Sequence, residues 1–196
     1  MNFLAHLYLS GDNPSILIGN FIGDFVKGRN NFVQYGSEIA KGIELHRAID
    51  AFTDTHSVVQ QSKNRLRPKY RHYSGVIIDI FYDHYLAKNW NEYHSEFLPD
   101  YADKVYDLIQ THLNILPEKV NWILPYMIKG NWLLNYGKLE GIERALIGLS
   151  RRSAHDSKMN ESVHELKEFY PEFKKEFEEF FPELKNYCDN WITLNG

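Results

Sequence analysis

One histidine and two aspartates in the first half of the chain have a spacing that lets them act together. His46, Asp50 and Asp54 lie four residues apart in the segment ELHRAIDAFTD, and this spacing places their side chains along one stripe of a helix. Apolar Ile43 and Phe52 border the stripe, which predicts that part of it is buried. Imidazole and carboxylate groups bind divalent cations, so the stripe is a candidate metal site. A solvated polar helix face is the alternative interpretation.

Other polar groups stand inside apolar segments. His6 lies in NFLAHLYL, Asp24 in GNFIGDFVKG, and Asp79, Asp83 and His84 lie in VIIDIFYDHYLA. A buried carboxylate is unfavourable unless it is paired, hydrogen-bonded or bound to a metal. The sequence therefore predicts a metal centre, with buried ion pairs to arginine as the alternative. Taken alone, His6 is better explained as a hydrogen-bonded core histidine than as a metal ligand.

The types of these side chains limit the chemistry that they support. They offer many oxygen atoms, some imidazole and no thiolate, and Cys188 is the only cysteine in the chain. Such ligands suit Mn²⁺ or Mg²⁺, with Fe²⁺ or Zn²⁺ as alternatives. A bound divalent cation activates water and neutralises phosphoryl oxygens. The nucleophile elbow, the Walker loop, the dinucleotide fingerprint and the H-E-x-x-H motif are absent from the sequence, so metal-assisted hydrolysis is favoured.

Two basic segments offer binding sites for anions. The decapeptide KNRLRPKYRH, residues 63–72, contains five cations and no acid in a chain of net charge −4. It predicts a docking surface for an anionic partner, or a solvated helix end. The predicted docking residues are Lys63, Arg65, Arg67, Lys69 and Arg71. Arg151 and Arg152, in GLSRRSAH, form a pair that can hold a phosphate through forked hydrogen bonds.

Length and composition exclude several classes of protein. The 196 residues are 43% hydrophobic and 24% charged, as in ordinary globular proteins rather than disordered ones. The mild acidity argues against a nucleic-acid-binding protein. The most apolar run, residues 76–87, is too short for a membrane span and contains charged residues. Without a basic leader and with one cysteine, the chain is predicted to be cytoplasmic.

Helical signals dominate the sequence, and we predict one all-α domain over residues 1–196. Asn13 followed by Pro14 is typical of a helix start, and Gly19 and Gly23 lie one turn apart, which permits a close approach of a helix or a ligand. Apolar residues repeat at helical spacing in the C-terminal segment and predict a core-facing helix. Other predicted helices run from Ser37 to about Lys63, from Tyr70 to Trp90 and from Leu139 to Leu149, with starts at Pro99, Pro117 and Pro125 and breaks or kinks at Pro171 and Pro182.

Five of these segments, taken in order, resemble a known family. MNFLAHLYLS, GNFIGDFVKG, GIELHRAIDAFTD, YSGVIIDIFYDHYLA and GLSRRS are similar to motifs of the acyl carrier protein phosphodiesterases, and the resemblance extends from Met1 to about Arg152. It implies an all-α fold related to the HD-type metal-dependent phosphohydrolases. It also implies Mn²⁺-assisted hydrolysis of the phosphodiester that joins 4′-phosphopantetheine to a serine of holo-acyl carrier protein.

Under this hypothesis we also assign expected roles to residues. Asp79 would orient water or a ligating histidine, and Arg47, or Arg151 with Arg152, would balance the charge of the phosphate. The basic run 63–71 would dock the carrier protein. Two alternatives remain open: a phosphohydrolase of a nucleotide or another small phosphodiester, and a non-catalytic helical module that binds the carrier. The expected metal ligands are His6, Asp24, His46, Asp50, Asp83 and His84.

Overall fold

The computed structural model describes residues 1–28 and 32–195, and helices make up most of it. The helical fraction is 81%, and the backbone of these two ranges forms helices without a β-strand. The predicted all-α fold class is confirmed. Short 3-10 helices cover Gly23–Phe25, Val33–Tyr35, Arg71–Tyr73 and Met159–Glu161. The α-helices are α1 (Phe3–Tyr8), α2 (Pro14–Ile22), α3 (Ser37–Thr55), α4 (Ser57–Tyr70), α5 (Ser74–Lys88), α6 (Trp90–Tyr93), α7 (Leu98–Thr111), α8 (Glu118–Lys129), α9 (Trp132–Asn135), α10 (Leu139–Arg152), α11 (Val163–Glu168) and α12 (Tyr170–Asn195).

The predicted helix from Ser37 to about Lys63 is two helices. The backbone of His56 is extended, with φ −69° and ψ 132°, and it separates α3 from α4. The His56 ring packs edge-on against Phe180 of α12, and its Nε2 lies 3.2 Å from a carboxylate oxygen of Glu183. The break thus anchors the turn between α3 and α4 to α12, a contact that the local sequence does not reveal.

The predicted helix start at Pro125 was wrong, because Pro125 lies inside α8. Pro182 does not break α12, since it lies inside this helix of 26 residues. Pro171 lies in the first turn of α12, where a missing N–H costs no intrahelical hydrogen bond. The predicted core-facing stripe is confirmed, because Phe180 and Leu184, on either side of Pro182, are fully buried. Their packing offsets the single hydrogen bond that Pro182 removes.

The closest helix crossing joins α2 and α3, the two helices that frame the candidate site. A Cβ atom on Gly19 would lie 2.0 Å from the carbonyl oxygen of Ile39 and 2.8 Å from the Cα of Gly42. The glycines therefore let the two backbones touch, and the interpretation of Gly19 as a helix-crossing residue is correct. Asn13 caps α2 as predicted, since its side-chain oxygen accepts hydrogen bonds from two backbone N–H groups of the first turn.

The core is continuous from the N-terminal helix to the C-terminal one. Buried hydrophobic residues from Leu4 in α1 to Cys188 in α12 form one cluster, with α5 packed against α1, α4, α10 and α12. Across the described residues, no helix has both the length and the apolar character needed to cross a membrane. The polar residues of the candidate site lie where α1, α2, α3 and α5 meet.

Candidate metal centre

Two imidazoles and a carboxylate converge where α1 and α3 meet. His6 comes from α1, and His46 and Asp50 come from successive turns of α3. The two rings stack, with centroids 4.0 Å apart and planes inclined by 17°. One candidate ligand atom from each of the three residues lies within 4.8 Å of the other two. The structure thus brings together two sequence segments that are 40 residues apart in the chain.

Asn20 of α2 orients both imidazoles. Its side-chain amide donates to the backbone oxygen of His6 at 2.7 Å and to Ser10 Oγ at 2.9 Å, which leaves its Oδ1 as an acceptor for His6 Nδ1 at 2.8 Å. His46 Nδ1 lies 2.8 Å from the backbone oxygen of Asn20. A carbonyl oxygen only accepts, so both Nδ1 atoms carry protons and both Nε2 atoms face the carboxylates. Metal-binding histidines commonly have this arrangement.

The Nε2 atoms meet carboxylate oxygens at distances of 3.3 Å. His6 Nε2 faces Asp50 Oδ1, and His46 Nε2 faces both Asp50 Oδ2 and Asp24 Oδ1. The imidazoles are buried, with side-chain exposures of 4% and 6%, whereas Asp50 is 41% exposed and Asp24 is 69% exposed. The cluster therefore has a closed imidazole side and an open carboxylate side. A small molecule can reach it from the carboxylate side.

The surroundings of the two histidines shift their pKa values in opposite directions. Burial lowers the pKa of His6 to about 4, and the neighbouring His46 adds to the effect. Burial also lowers the pKa of His46, but hydrogen bonds and charge attraction from Asp24 and Asp50 outweigh it and raise the value to about 9. The hydrogen bond from His46 lowers the pKa of Asp24, and that of Asp50 is lowered by both histidines in spite of burial.

The neutral form of His6 leaves an unusual contact. Its Nε2 is buried without a hydrogen-bond partner, although Asp50 Oδ1 is near. A lone pair that faces an anionic oxygen in a buried place is unfavourable unless a cation lies between them. The donor set therefore fits a divalent cation, with two imidazole nitrogens and the oxygens of Asp50 and Asp24 as candidate ligands.

The absence of a side chain at Gly23 leaves room for the His46 ring. A Cβ atom on Gly23 would lie 2.2 Å from His46 Cγ, so any side chain there would push the imidazole away. The sequence indicated a close approach at Gly23 but did not show whether a helix or a ligand makes it. The approaching group is a side chain of the candidate site itself. The roles of Asn20 and Gly42 were not predicted, and Gly42 carries no local signal.

Asp79 of α5 lies at the edge of the cluster. Its Oδ1 is 3.1 Å from the backbone amino nitrogen of Met1, which is 3.7 Å from Asp50 Oδ1. The side chain is 28% exposed. Burial raises the pKa of Asp79 and outweighs the opposing positive charge on the amino nitrogen. The Met1 amino nitrogen thus links the carboxylate of Asp79 to that of Asp50.

Asp83 and His84 face away from the cluster. The carboxylate of Asp83 accepts hydrogen bonds from the backbone N–H groups at the start of α1, including that of Leu4 at 2.8 Å. Burial raises the Asp83 pKa to about 7. His84 Nδ1 lies 2.8 Å from the backbone oxygen of Tyr136, and its Nε2 lies 2.9 Å from the hydroxyl of Tyr170. Both side chains are fully engaged in holding helices together.

The predicted phosphate-binding arginines occupy different environments. The Arg47 guanidinium donates to the backbone oxygens of Val26 and Gly28 at 3.2 and 3.0 Å, so it holds the segment that follows Asp24. Arg151 and Arg152 are exposed in the last turn of α10. Neither guanidinium group forms a hydrogen bond or an ion pair with another described residue.

The basic run is partly neutralised within the chain. Lys63 Nζ lies 2.7 Å from Asp54 Oδ1, and Arg65 forms a paired contact with the buried Glu176 at 2.7 and 2.8 Å. Lys69 contacts Glu161 and Glu165 of the segment before α12. Arg67 donates only to the neutral residues Asn64 and Gln60, and Arg71 has no ion pair among the described residues.

Comparison with known proteins identifies the family. A family model described as acyl carrier protein phosphodiesterase matches residues 1–184. The chain belongs to this family. It is 34% identical over 191 residues to an acyl carrier protein phosphodiesterase of Photorhabdus laumondii, which covers 97% of this chain and 96% of the relative. It is 33% identical over 171 residues to that of Yersinia pestis, with 87% of this chain and 88% of the relative covered. No solved structure matches the chain.

The match to the acyl carrier protein phosphodiesterase family extends further along the chain than the five motifs do. The match to residue 184 includes most of α12, whose buried face supports the turn between α3 and α4. All of the clustered residues, together with Asp79, Arg151 and Arg152, lie inside the matched range. The relation to the HD-type phosphohydrolases stays a prediction.

Proposed function

We propose that this chain hydrolyses the phosphodiester between 4′-phosphopantetheine and the serine of holo-acyl carrier protein, as a metal-dependent enzyme of the cytoplasm. Family membership supports the reaction. The observation that carries the metal dependence is the buried, unpartnered Nε2 of His6, which faces Asp50 at 3.3 Å. The products are apo-acyl carrier protein and free 4′-phosphopantetheine.

The residues that would hold the metal are His6, His46, Asp50 and Asp24. Two imidazoles and two carboxylates suit Mn²⁺ best among the cations considered, and Mg²⁺ and Fe²⁺ are compatible with the same donors. When bound, such a cation lowers the pKa of water and neutralises charge on the phosphate. Asp83 is not in this proposed set, because its oxygens already accept backbone hydrogen bonds.

The remaining residues act on the substrate or on the ligands. Asp79, whose pKa is raised by burial, takes the proton from the attacking water, since its carboxylate and that of Asp50 both contact the Met1 amino nitrogen. Arg151 and Arg152 hold the phosphate oxygens, because their guanidinium groups are free of partners. Arg47 acts as a positioning residue: it ties down the segment after Asp24 and so fixes that carboxylate beside His46.

The reaction is tested by the intact mass of purified holo-acyl carrier protein after incubation with this protein and Mn²⁺. We expect loss of the phosphopantetheine mass, and a chelator should prevent that loss. Retention of the full mass with Mn²⁺ shown to be bound would contradict the proposed substrate. Equal turnover with and without chelator would contradict the metal dependence.

A matched pair of variants on α3 tests the site. Asp50→Asn removes a proposed ligand, whereas Asp54→Asn, one turn later, changes a carboxylate that is 72% exposed and contacts only Lys63. At a free Mn²⁺ concentration of about 100 times the dissociation constant, binding adds roughly 2.7 kcal/mol to the free energy of unfolding. We expect this gain and the hydrolysis to persist in Asp54→Asn and to disappear in Asp50→Asn. The same gain in both variants would place the metal elsewhere.

A further inference from the structure

A groove of about 790 Å³ lies on the surface beyond the end of α4. One wall is formed by residues 68–73, which include the 3-10 helix before α5. The other wall is formed by residues 155–158, in the segment that follows α10. Neither wall contains a residue of the metal cluster, so the groove is a second candidate site.

The lining of the groove is cationic and mostly unpaired. Arg71, His72, His155 and Lys158 are exposed, and their side chains form neither a hydrogen bond nor an ion pair with any described residue. Asp156 is the one acidic residue in the lining. Lys69, the other cation of the basic run in the lining, is already paired with Glu161 and Glu165. Each wall therefore contributes one unpaired cation, Arg71 or Lys158, and Asp156 offsets part of the charge of the second wall.

Each wall has a cation at a strained backbone position. Arg71 has φ 51° and ψ −124°, and Lys158 has φ 53°. These values favour glycine, and they are unfavourable for residues with a Cβ atom. Strain of this kind persists where the surrounding structure enforces it, and it occurs often in binding sites. The two backbones thus present their cations to the same groove against the local preference of the chain.

The groove is close to the metal cluster along α5. Tyr73, in the groove lining, lies six residues before Asp79, which corresponds to about 9 Å along a helix axis. The second wall begins three residues after Arg152, one of the arginines proposed to hold the phosphate. A protein that rests in the groove would therefore place a neighbouring group near the cluster.

We propose that this groove docks an acidic surface segment of a protein substrate. The inference rests on the proposed function, in which that substrate is the carrier protein. Positive charge on both walls selects a segment with acidic residues on one face, since electrostatic complementarity guides association. This docking surface differs from the one predicted from the basic run. It keeps Arg71 and adds Lys158, and it leaves out Lys63 and Arg65, whose charges are neutralised within the chain.

Charge reversal on both walls tests the docking. In Arg71→Glu/Lys158→Glu we expect the KM for holo-acyl carrier protein to rise by about tenfold at low salt, an effect that shrinks as added salt screens the charges. The control is Lys119→Glu/Lys129→Glu on α8, which changes the net charge by the same amount at exposed sites outside the groove. An equal rise of KM in both double variants would overturn the proposal.

A glycine variant separates docking from backbone strain. Arg71→Gly removes the cation and relieves the positive φ, so we expect the Tm to rise while the KM for the carrier increases. A merely structural Arg71 would give the higher Tm with an unchanged KM, and that result would contradict docking at this wall. His72 stays in place in this variant, so a higher Tm together with a higher KM reports on Arg71 alone.

Direct binding distinguishes this proposal from the proposed function. Fluorescently labelled apo-acyl carrier protein has no phosphodiester to cleave, so its affinity reports on docking without chemistry. Binding that weakens in Arg71→Glu/Lys158→Glu supports the groove even if the protein fails to hydrolyse the holo form. Hydrolysis of the holo form with unchanged binding and KM in the double variant would refute the groove and leave the proposed function intact.

Discussion

Replacing Gly23 by alanine should weaken the proposed metal site without changing any of its proposed ligands. The new Cβ atom would lie 2.2 Å from His46 Cγ and 2.6 Å from His46 Cβ and Cδ2. Gly23 has an ordinary helical φ of −51°, so alanine is compatible with its backbone and only the space is lacking. The substitution therefore acts through the position of one imidazole.

The size of the effect follows from the overlap. Carbon atoms in contact lie about 3.5–4.0 Å apart, so the ring must retreat by roughly 1.3 Å or α3 must move. The ring cannot retreat freely, because its Nδ1 is 2.8 Å from the backbone oxygen of Asn20. Metal–ligand distances tolerate only about 0.2 Å. We expect Mn²⁺ affinity to fall by at least about 10- to 100-fold, and the free energy of unfolding to fall by about 1–3 kcal/mol.

The assay is Mn²⁺ titration by calorimetry, combined with urea denaturation of the metal-free protein. Gly148→Ala in α10 is the control, since a Cβ atom there meets nothing within 4 Å and alanine should stabilise the helix by about 0.5–1 kcal/mol. Gly148→Ala should bind Mn²⁺ as the parent protein does. If Gly23→Ala loses stability but keeps its Mn²⁺ affinity, the metal does not use His46, and the reasoning about the cluster fails.

Three further predictions concern stability. The pKa of His46 is raised from 6.5 to about 9, so its protonation stabilises the metal-free fold fully below pH 6.5, and this contribution is lost as the pH rises to 9. The Tm difference between the protein and His46→Gln should therefore shrink over that pH range. A constant Tm difference would contradict the raised pKa of His46. Asp83→Ala leaves backbone N–H groups of α1 unpaired and should lower the free energy of unfolding by about 2 kcal/mol in urea denaturation; an unchanged midpoint would contradict the capping role. Gly19→Ala places a Cβ atom 2.0 Å from the backbone oxygen of Ile39 and should lower the free energy of unfolding by about 3 kcal/mol, whereas an unchanged denaturation curve would show that the helices separate easily.

The spacing of residues within one helix was easier to interpret from the sequence than contacts between helices. His46 and Asp50 could be paired from their spacing, because a helix fixes the relation between residues four apart. Asp83 could not be placed, since its partners are backbone N–H groups about 80 residues earlier, among them that of Leu4. Apolar neighbours correctly indicated a buried carboxylate at this position, but such a pattern does not distinguish a helix cap from a metal ligand.

The basic run shows the same limit of local patterns. Counting charges over residues 63–72 gives five cations, but Arg65 is paired with Glu176, 111 residues away. The boundary between α3 and α4 was not predicted for a related reason, because the end of α3 at Thr55 depends on the contact of His56 with α12. Elements whose signals are local, such as the Asn13 cap, were predicted correctly, and those that depend on tertiary contacts were not.

The geometry of the cluster explains how residues that are not proposed as ligands can control metal binding. His6 reaches the cluster from α1, whose first turn is held by Asp83, and its ring is turned by Asn20. Loss of Asp83 would therefore reduce activity in the same way as loss of a ligand, by displacing His6. The two cases differ in what Mn²⁺ adds: a cap variant loses stability before metal is added and should keep part of the gain from Mn²⁺, whereas Asp50→Asn should lose that gain in addition to its ion pairs with His6 and His46. Activity alone does not identify a ligand in this fold, but stability measured with and without Mn²⁺ does.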